Sequence, residues 1–175
     1  MASYTAIADA GNSIVKLLRD NMTPEPVSKP EMIGICSPAD RGDIKLGLHL
    51  YSIRENGEFR DVGYQNTPSL TMNLFYLMTA YSSIDLKLRA FDESCILGKA
   101  MQVIYDNSIL RGSNLQGSLA EKDEELRIVL NYLNTDEISK IWTFPNIPYK
   151  LSVGYMAGPV NIDSSTHRAF TRVMK

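Results

Sequence analysis

From Ser69 to Tyr81 the chain alternates along a strand with one apolar face and one of mixed character, and this constrains the fold more than any other stretch. Leu70, Met72, Leu74, Tyr76 and Met78 fall on one face; Thr71, Asn73, Phe75, Leu77 and Thr79 fall on the other. Successive side chains of a strand point to opposite faces. A half-solvated sheet would leave the second face polar, whereas Phe75 and Leu77 predict a strand partly covered on both sides, or one with a protein-binding face.

Other segments supply its partners. Leu46, Leu48 and Leu50 alternate with Gly47, His49 and Tyr51, which predicts a strand. Glu55-Asn56-Gly57-Glu58 follows, and Asn-Gly is a strong hairpin signal because both residues tolerate positive φ. Phe59 to Thr67 comes next, ending at Pro68. Met32 to Cys36 reads as a short first strand and 37–43 as a loop. Leu126, Ile128, Leu130 and Tyr132 alternate with Arg127, Val129, Asn131 and Leu133 in a further strand. Tyr149 to Asp163 is the last one, and Pro159 inside it predicts an edge position or a bulge.

Helical spacing appears in three places. Ile7, Ala10, Gly11, Ile14, Leu17 and Leu18 give residues 5–20 one apolar stripe, closed off by Pro24, Pro26 and Pro30. Residues 83–107 read as a helix with Leu97, Ala100, Met101 and Ile104 buried, followed by a Gly/Ser/Asn-rich loop over 111–118. Asn134 with Glu137 three residues on predicts a capped short helix burying Ile138, Ile141 and Trp142 and ending at Pro145 and Pro148. The order of elements argues for an α+β fold: a single mixed, largely antiparallel β-sheet with helices packed against it. We expect one domain over 1–163 and a basic tail over 164–175.

Composition narrows the function. At 175 residues, with 44% hydrophobic and 22% charged residues, the chain is of ordinary globular make-up. A net charge of -2 speaks against nucleic acid as a partner. The tail carries Arg168, Arg172 and Lys175 with no acidic residue after Asp163, so the body before it holds a net −5. Cys36 and Cys95 form neither a disulfide framework nor a zinc motif, and read as reduced thiols. The amino terminus lacks the pattern of a signal peptide, and no run approaches the ~18 apolar residues of a membrane span. The expectation is a chain made and assembled in the cytoplasm, without direct membrane insertion.

The search for chemistry returns no catalytic, cofactor-binding or metal-ligating set. His49 lies among hydrophobics and His167 in the tail. There is no Gly-x-Ser-x-Gly elbow, and Gly98-Lys99 lacks the earlier glycine of a phosphate loop. Glu121-Lys122-Asp123-Glu124-Glu125 reads as a solvated turn, and Arg41-Gly42-Asp43 as loop chemistry with Gly42 allowing a tight turn. Tyr51, Phe59, Arg60 and Tyr64 interleave aromatic rings with charge, but without the surplus of Lys and Arg that a nucleic-acid platform needs.

Several segments, in order, carry a resemblance. They are Ile7-Ala8-Asp9-Ala10-Gly11-Asn12, Ser37-Pro38-Ala39-Asp40, residues 48–56, residues 74–81, Leu97-Gly98-Lys99-Ala100-Met101-Gln102 with Asp106-Asn107, residues 125–128, and residues 148–155 ending at Ile162-Asp163. Together the chain resembles the tail-terminator, or cap, family of extracellular contractile injection systems, which are phage-tail-like particles. The resemblance implies a phage tail-terminator-like fold and a homo-hexameric ring. It implies seating on the last layer of sheath protein and inner tube protein, no cofactor and no reaction. An adaptor, connector or anchoring component of such a particle is the alternative, and an unrelated enzyme a remote one. Asp40, Arg41, Asp43, Pro159, Arg168, Phe170 and Arg172 are the candidate interface residues, with Pro159 limiting strand pairing at an exposed sheet edge.

Overall fold

The computed structural model describes residues 4–57, 69–122 and 124–164. Helix α1 (Ala6–Met22) is followed by β1 (Ile33–Ile35), β2 (Leu46–Glu55) and β3 (Ser69–Ala80). Then come α2 (Leu86–Asp106), β4 (Ile109–Leu110), α3 (Gly117–Glu121), β5 (Leu126–Leu130), α4 (Thr135–Ile141) and β6 (Ser152–Asp163). The strands form one six-stranded sheet in the order β1-β2-β3-β6-β5-β4. Only the β1–β2 pair is parallel, so the α+β class and the largely antiparallel sheet stand as the sequence predicts.

β3 behaves as its alternation requires. Leu74, Tyr76 and Met78 point to one face and join Leu46, Leu48, Tyr155, Ala157, Ile128 and the inward sides of α1 and α2 in the main core. We call this the helix face. Leu77 and Tyr81 point to the far face and form a second cluster with Trp142, which Tyr51, Leu133, Ile138, Ile141, Phe144 and Ile147 surround. Trp142 meets Phe144 and Tyr149 edge-on, at 6.1 and 5.9 Å between ring centroids. The hydroxyls of Thr79 and Ser152, paired across β3 and β6 and buried, hydrogen-bond each other at 2.7 Å.

The last two strands bear on two sequence expectations. Pro159 sits where β6 becomes a local edge: β5 flanks it only as far as Gly158, and beyond that the described pairs of β6 are with β3 alone. The bulge half of that expectation holds as well. Gly158 and Pro159 together oppose Asn73 where the β3–β6 register shifts, and the β5–β6 pairs stop at Gly158. A proline without an N–H is tolerated there because the ladder on both sides is already interrupted. The strand expected over 126–133 is shorter: β5 ends at Leu130, buries Leu126 and Ile128, and leaves Leu130 exposed. Asn56 continues the β2 ladder, donating its N–H to the Thr71 carbonyl. The Phe59–Thr67 segment lies outside the described residues.

The α4 capping box forms: Glu137 N–H donates to Asn134 Oδ1 and Asn134 N–H donates to Glu137 Oε2. Of its expected buried side, Trp142 is buried, while Ile138 and Ile141 are half-buried. α2 buries Ile96, Leu97, Ala100, Val103 and Ile104.

α1 also fastens the long 111–121 connection. The Asp9 carboxylate accepts from Thr5 Oγ1 at 2.8 Å, from Ser118 N at 3.0 Å and from Ser118 Oγ at 2.7 Å. Ser13 Oγ donates to the Asp9 carbonyl at 2.7 Å and accepts from Gln116 N at 2.9 Å. Gly117 has φ +55° and lies so close to the Asp9 carboxylate that a Cβ would collide with it. Partial burial by itself would raise the Asp9 carboxyl, but the Ser118 and Thr5 hydrogen bonds outweigh it and hold it below its ordinary value.

We predict that Asp9→Ala lowers unfolding stability by about 1–3 kcal/mol, because Ser118 loses both acceptors. A carboxyl held below its unfolded value of 3.8 adds stability above that pH and loses it on further acidification. Urea titrations should therefore show the gap between Asp9→Ala and wild type closing below pH 4. A gap that is absent at neutral pH contradicts the clamp.

Candidate interface surfaces

The loop carrying Asp40, Arg41 and Asp43 joins β1 to β2. Its first turn is held by Asp40 N–H to the Ser37 carbonyl at 3.0 Å and Ala39 N–H to Ser37 Oγ at 3.2 Å. Gly42 takes φ +53°, as expected of the tight turn. The Arg41 guanidinium lies 4.7 Å over the Tyr81 ring and donates to the carbonyls of Gly42 and Ile44. Arg41 therefore clamps the loop to the end of β3, while the neighbouring Asp40 and Asp43 are exposed. Tyr81 stays neutral, its hydroxyl pushed up to about 12 by burial and by the Cys36 thiol beside it.

Of the other candidate residues, Pro159 is half-buried just past the last β5–β6 pair, and the end of β6 beyond it has no described strand partner on that side. Arg168, Phe170, Arg172 and His167 lie outside the described residues. The Asp163 carboxylate, at the end of β6, pairs with Lys122 Nζ, itself 3.8 Å from Glu124. Burial raises the Glu124 carboxyl, Lys122 opposes that and Asp163 adds to it. The described part of the 121–125 run thus contains a tie between α3 and the end of β6.

None of the described residues forms a reactive constellation. His49 packs edge-on against Phe144 at 5.6 Å, and burial lowers its pKa below 6.5. A neutral ring wedged against Phe144 serves packing. Burial pushes the Cys36 thiol up, away from reactivity. Among the described residues no group of three His, Cys, Asp or Glu side chains could hold a metal, and no helix is long and apolar enough to cross a membrane. A cleft between α1, β1 and the 116–117 turn is lined by Asp9, Asn12, Lys16, Arg19 and Gln116. Its ionic groups are already engaged: Lys16 pairs with Asp20 and Arg19 Nε donates to the Ile33 carbonyl.

Exposed apolar surface is more informative. The first half of α2, Leu86–Cys95, contributes no buried residue. Leu86 is 76% exposed, Leu88 59% and Phe91 72%. Leu88, Phe91 and Cys95 recur at spacings of three and four and form one outward stripe. That stripe is legible in the sequence, but the buried set Leu97, Ala100, Met101 and Ile104 conceals it when only one apolar face is sought. On the far face of the sheet Val129, Met156 and Phe75 stand in one cross-strand row. Val129 is exposed, and Met156 and Phe75 are half-buried. Arg54 lies 4.8 Å over the Phe75 ring.

His49 gives a test of this packing. A histidine held below its unfolded pKa of 6.5 adds stability above that pH and loses it as pH falls further. Urea midpoints should drop on acidification below pH 6.5, and less steeply in His49→Phe. Identical slopes would show that His49 charges freely and does not seal the cluster.

A sequence profile described as the Pvc16 N-terminal domain matches residues 9–175. Among solved structures, the PVC sheath/tube terminator of an extracellular contractile injection system, in its extended state, superposes with a TM-score of 0.62 at 13% identity. The alignment covers 97% of this chain and 62% of that one. The tube-terminating cap of the anti-feeding prophage superposes with a TM-score of 0.61 at 14% identity, covering 96% of this chain and 60% of that one. The chain thus spans about three fifths of the length of either. Among curated proteins no relative matches.

Proposed function

The chain belongs to the Pvc16 N-terminal domain family, and from that membership we propose that it is a structural cap subunit of a contractile, phage-tail-like particle. Copies form a ring, six in number, that seats on the last layer of inner tube and sheath and stops both from growing. The role is one of binding and blocking, with no reaction. Assembly takes place in the cytoplasm, before any release of the particle.

One observation carries this reading: almost the whole chain adopts a fold shared with two tube-terminating proteins. The surfaces are consistent with it. A terminator needs apolar surface for neighbours and for the layer beneath it, and the outward α2 stripe and the far-face row provide such surface. Its assembly contacts need no catalytic constellation. The exposed Asp40 and Asp43 and the basic residues Arg168 and Arg172, with Phe170, are the polar and anchoring elements we assign to the seat.

Electron microscopy of particles from cells with and without the gene tests the proposal. Without it, particles should lose their defined blunt end and spread widely in length. A chain lacking residues 165–175 should fold and fail to restore the uniform end. Properly ended particles of uniform length in the deletion strain would contradict the cap role and favour an adaptor.

A further inference from the structure

Helix α2 changes character along its length. Its second half buries Ile96, Leu97, Ala100, Val103 and Ile104 in the main core. The same face, continued toward the amino end at spacings of three and four, carries Glu93, Asp92 and Arg89. These three are half-buried, and every other residue of Leu86–Cys95 is exposed. The first half is therefore amphipathic in reverse, polar toward the body with Leu88 and Phe91 outward.

A polar node holds it in place. Glu93 Oε1 accepts from Lys150 Nζ at 2.5 Å and from Ser82 N at 3.0 Å. Ser82 Oγ donates to Asp92 Oδ2 at 2.5 Å. The node thus joins α2 to Ser82, just past β3, and to the connection that leads into β6. The Glu93 and Lys150 side chains are only 12% and 24% exposed, so water screens this pair less than a surface pair. Arg89 works against docking. Its Nε is buried without a described acceptor, a desolvation cost that opening removes.

A helical segment as short as Leu86–Cys95 is marginal in water without tertiary packing. Regions with few buried apolar contacts open locally, at free energies below that of global unfolding. We propose that Leu86–Cys95 is a latched arm: it opens from the body as a unit while Ile96–Asp106 stays docked, and the Glu93 bridge to Lys150 and Ser82 is the latch. Because the arm carries Leu88, Phe91 and Cys95 outward, the latch sets the pose in which that stripe is presented. The inference concerns the chain by itself and is independent of the cap reading.

Native-state hydrogen exchange of the full chain, read residue by residue by NMR, tests the arm, with circular dichroism to verify that the variants fold. Amides of 90–95 should show protection at least about 100-fold below those of 100–106, and their exchange should depend little on dilute urea, because local opening exposes little surface. Two variants separate the halves. Lys150→Met removes the donor to Glu93 and should speed exchange over 90–95 about tenfold. Ile104→Val weakens the core under the second half. It should speed exchange over 100–106 by about threefold or more and leave 90–95 unmoved, since the opened arm keeps Ile104 packed. Equal protection in the two halves, or a response of 90–95 to Ile104→Val matching that of 100–106, would overturn the independent arm. Exchange over 90–95 that ignores Lys150→Met would overturn the latch.

Discussion

Leu77 and Met78 are neighbours on β3, point to opposite faces of the sheet, and are both buried. The rest of the structure follows from that constraint. A strand buried on both sides cannot sit at an edge or on a half-solvated sheet. It needs a strand on each flank, which β2 and β6 supply, and a layer on each face. The helix face receives α1 and α2; the far face receives the short α4 and the Trp142 cluster. Because that second layer is small, it covers only part of the face it meets.

This asymmetry links the fold to its proposed role. A self-contained domain of this kind would complete its far face with its own helices. Here Val129 and Ile109 are left partly exposed there, while half of α2 projects apolar side chains outward. Among the described residues these supply the apolar surface that the proposed cap role would use. The Arg41–Tyr81 stack and the Asp9–Ser118 clamp hold the connections still while the apolar surfaces stay available.

Much of this was legible in the sequence because alternation and helical spacing report burial directly. The twin-faced character of β3, the α4 capping box and the first helix could be read from single residues such as Leu77, Asn134 and Ile14. Strand order could not be, because the β3–β6 ladder joins residues some eighty positions apart, and no local pattern specifies it. Pro159 falls at the β3–β6 bulge and just past the last β5–β6 pair, as its place in the strand pattern suggests. Arg41 reads in sequence as a free surface charge, and only the fold brings Tyr81 beneath it. The outward α2 stripe was present in the spacing of Leu88, Phe91 and Cys95, but helical periodicity cannot say which of two apolar faces is turned to solvent.

The account claims that this chain sits at one end of a contractile particle. Gold labelling of a tagged copy on purified particles, viewed by electron microscopy, addresses that most directly. The account predicts label at a single end of each particle, opposite the baseplate. Label distributed along the shaft, or gathered at the baseplate, would contradict it.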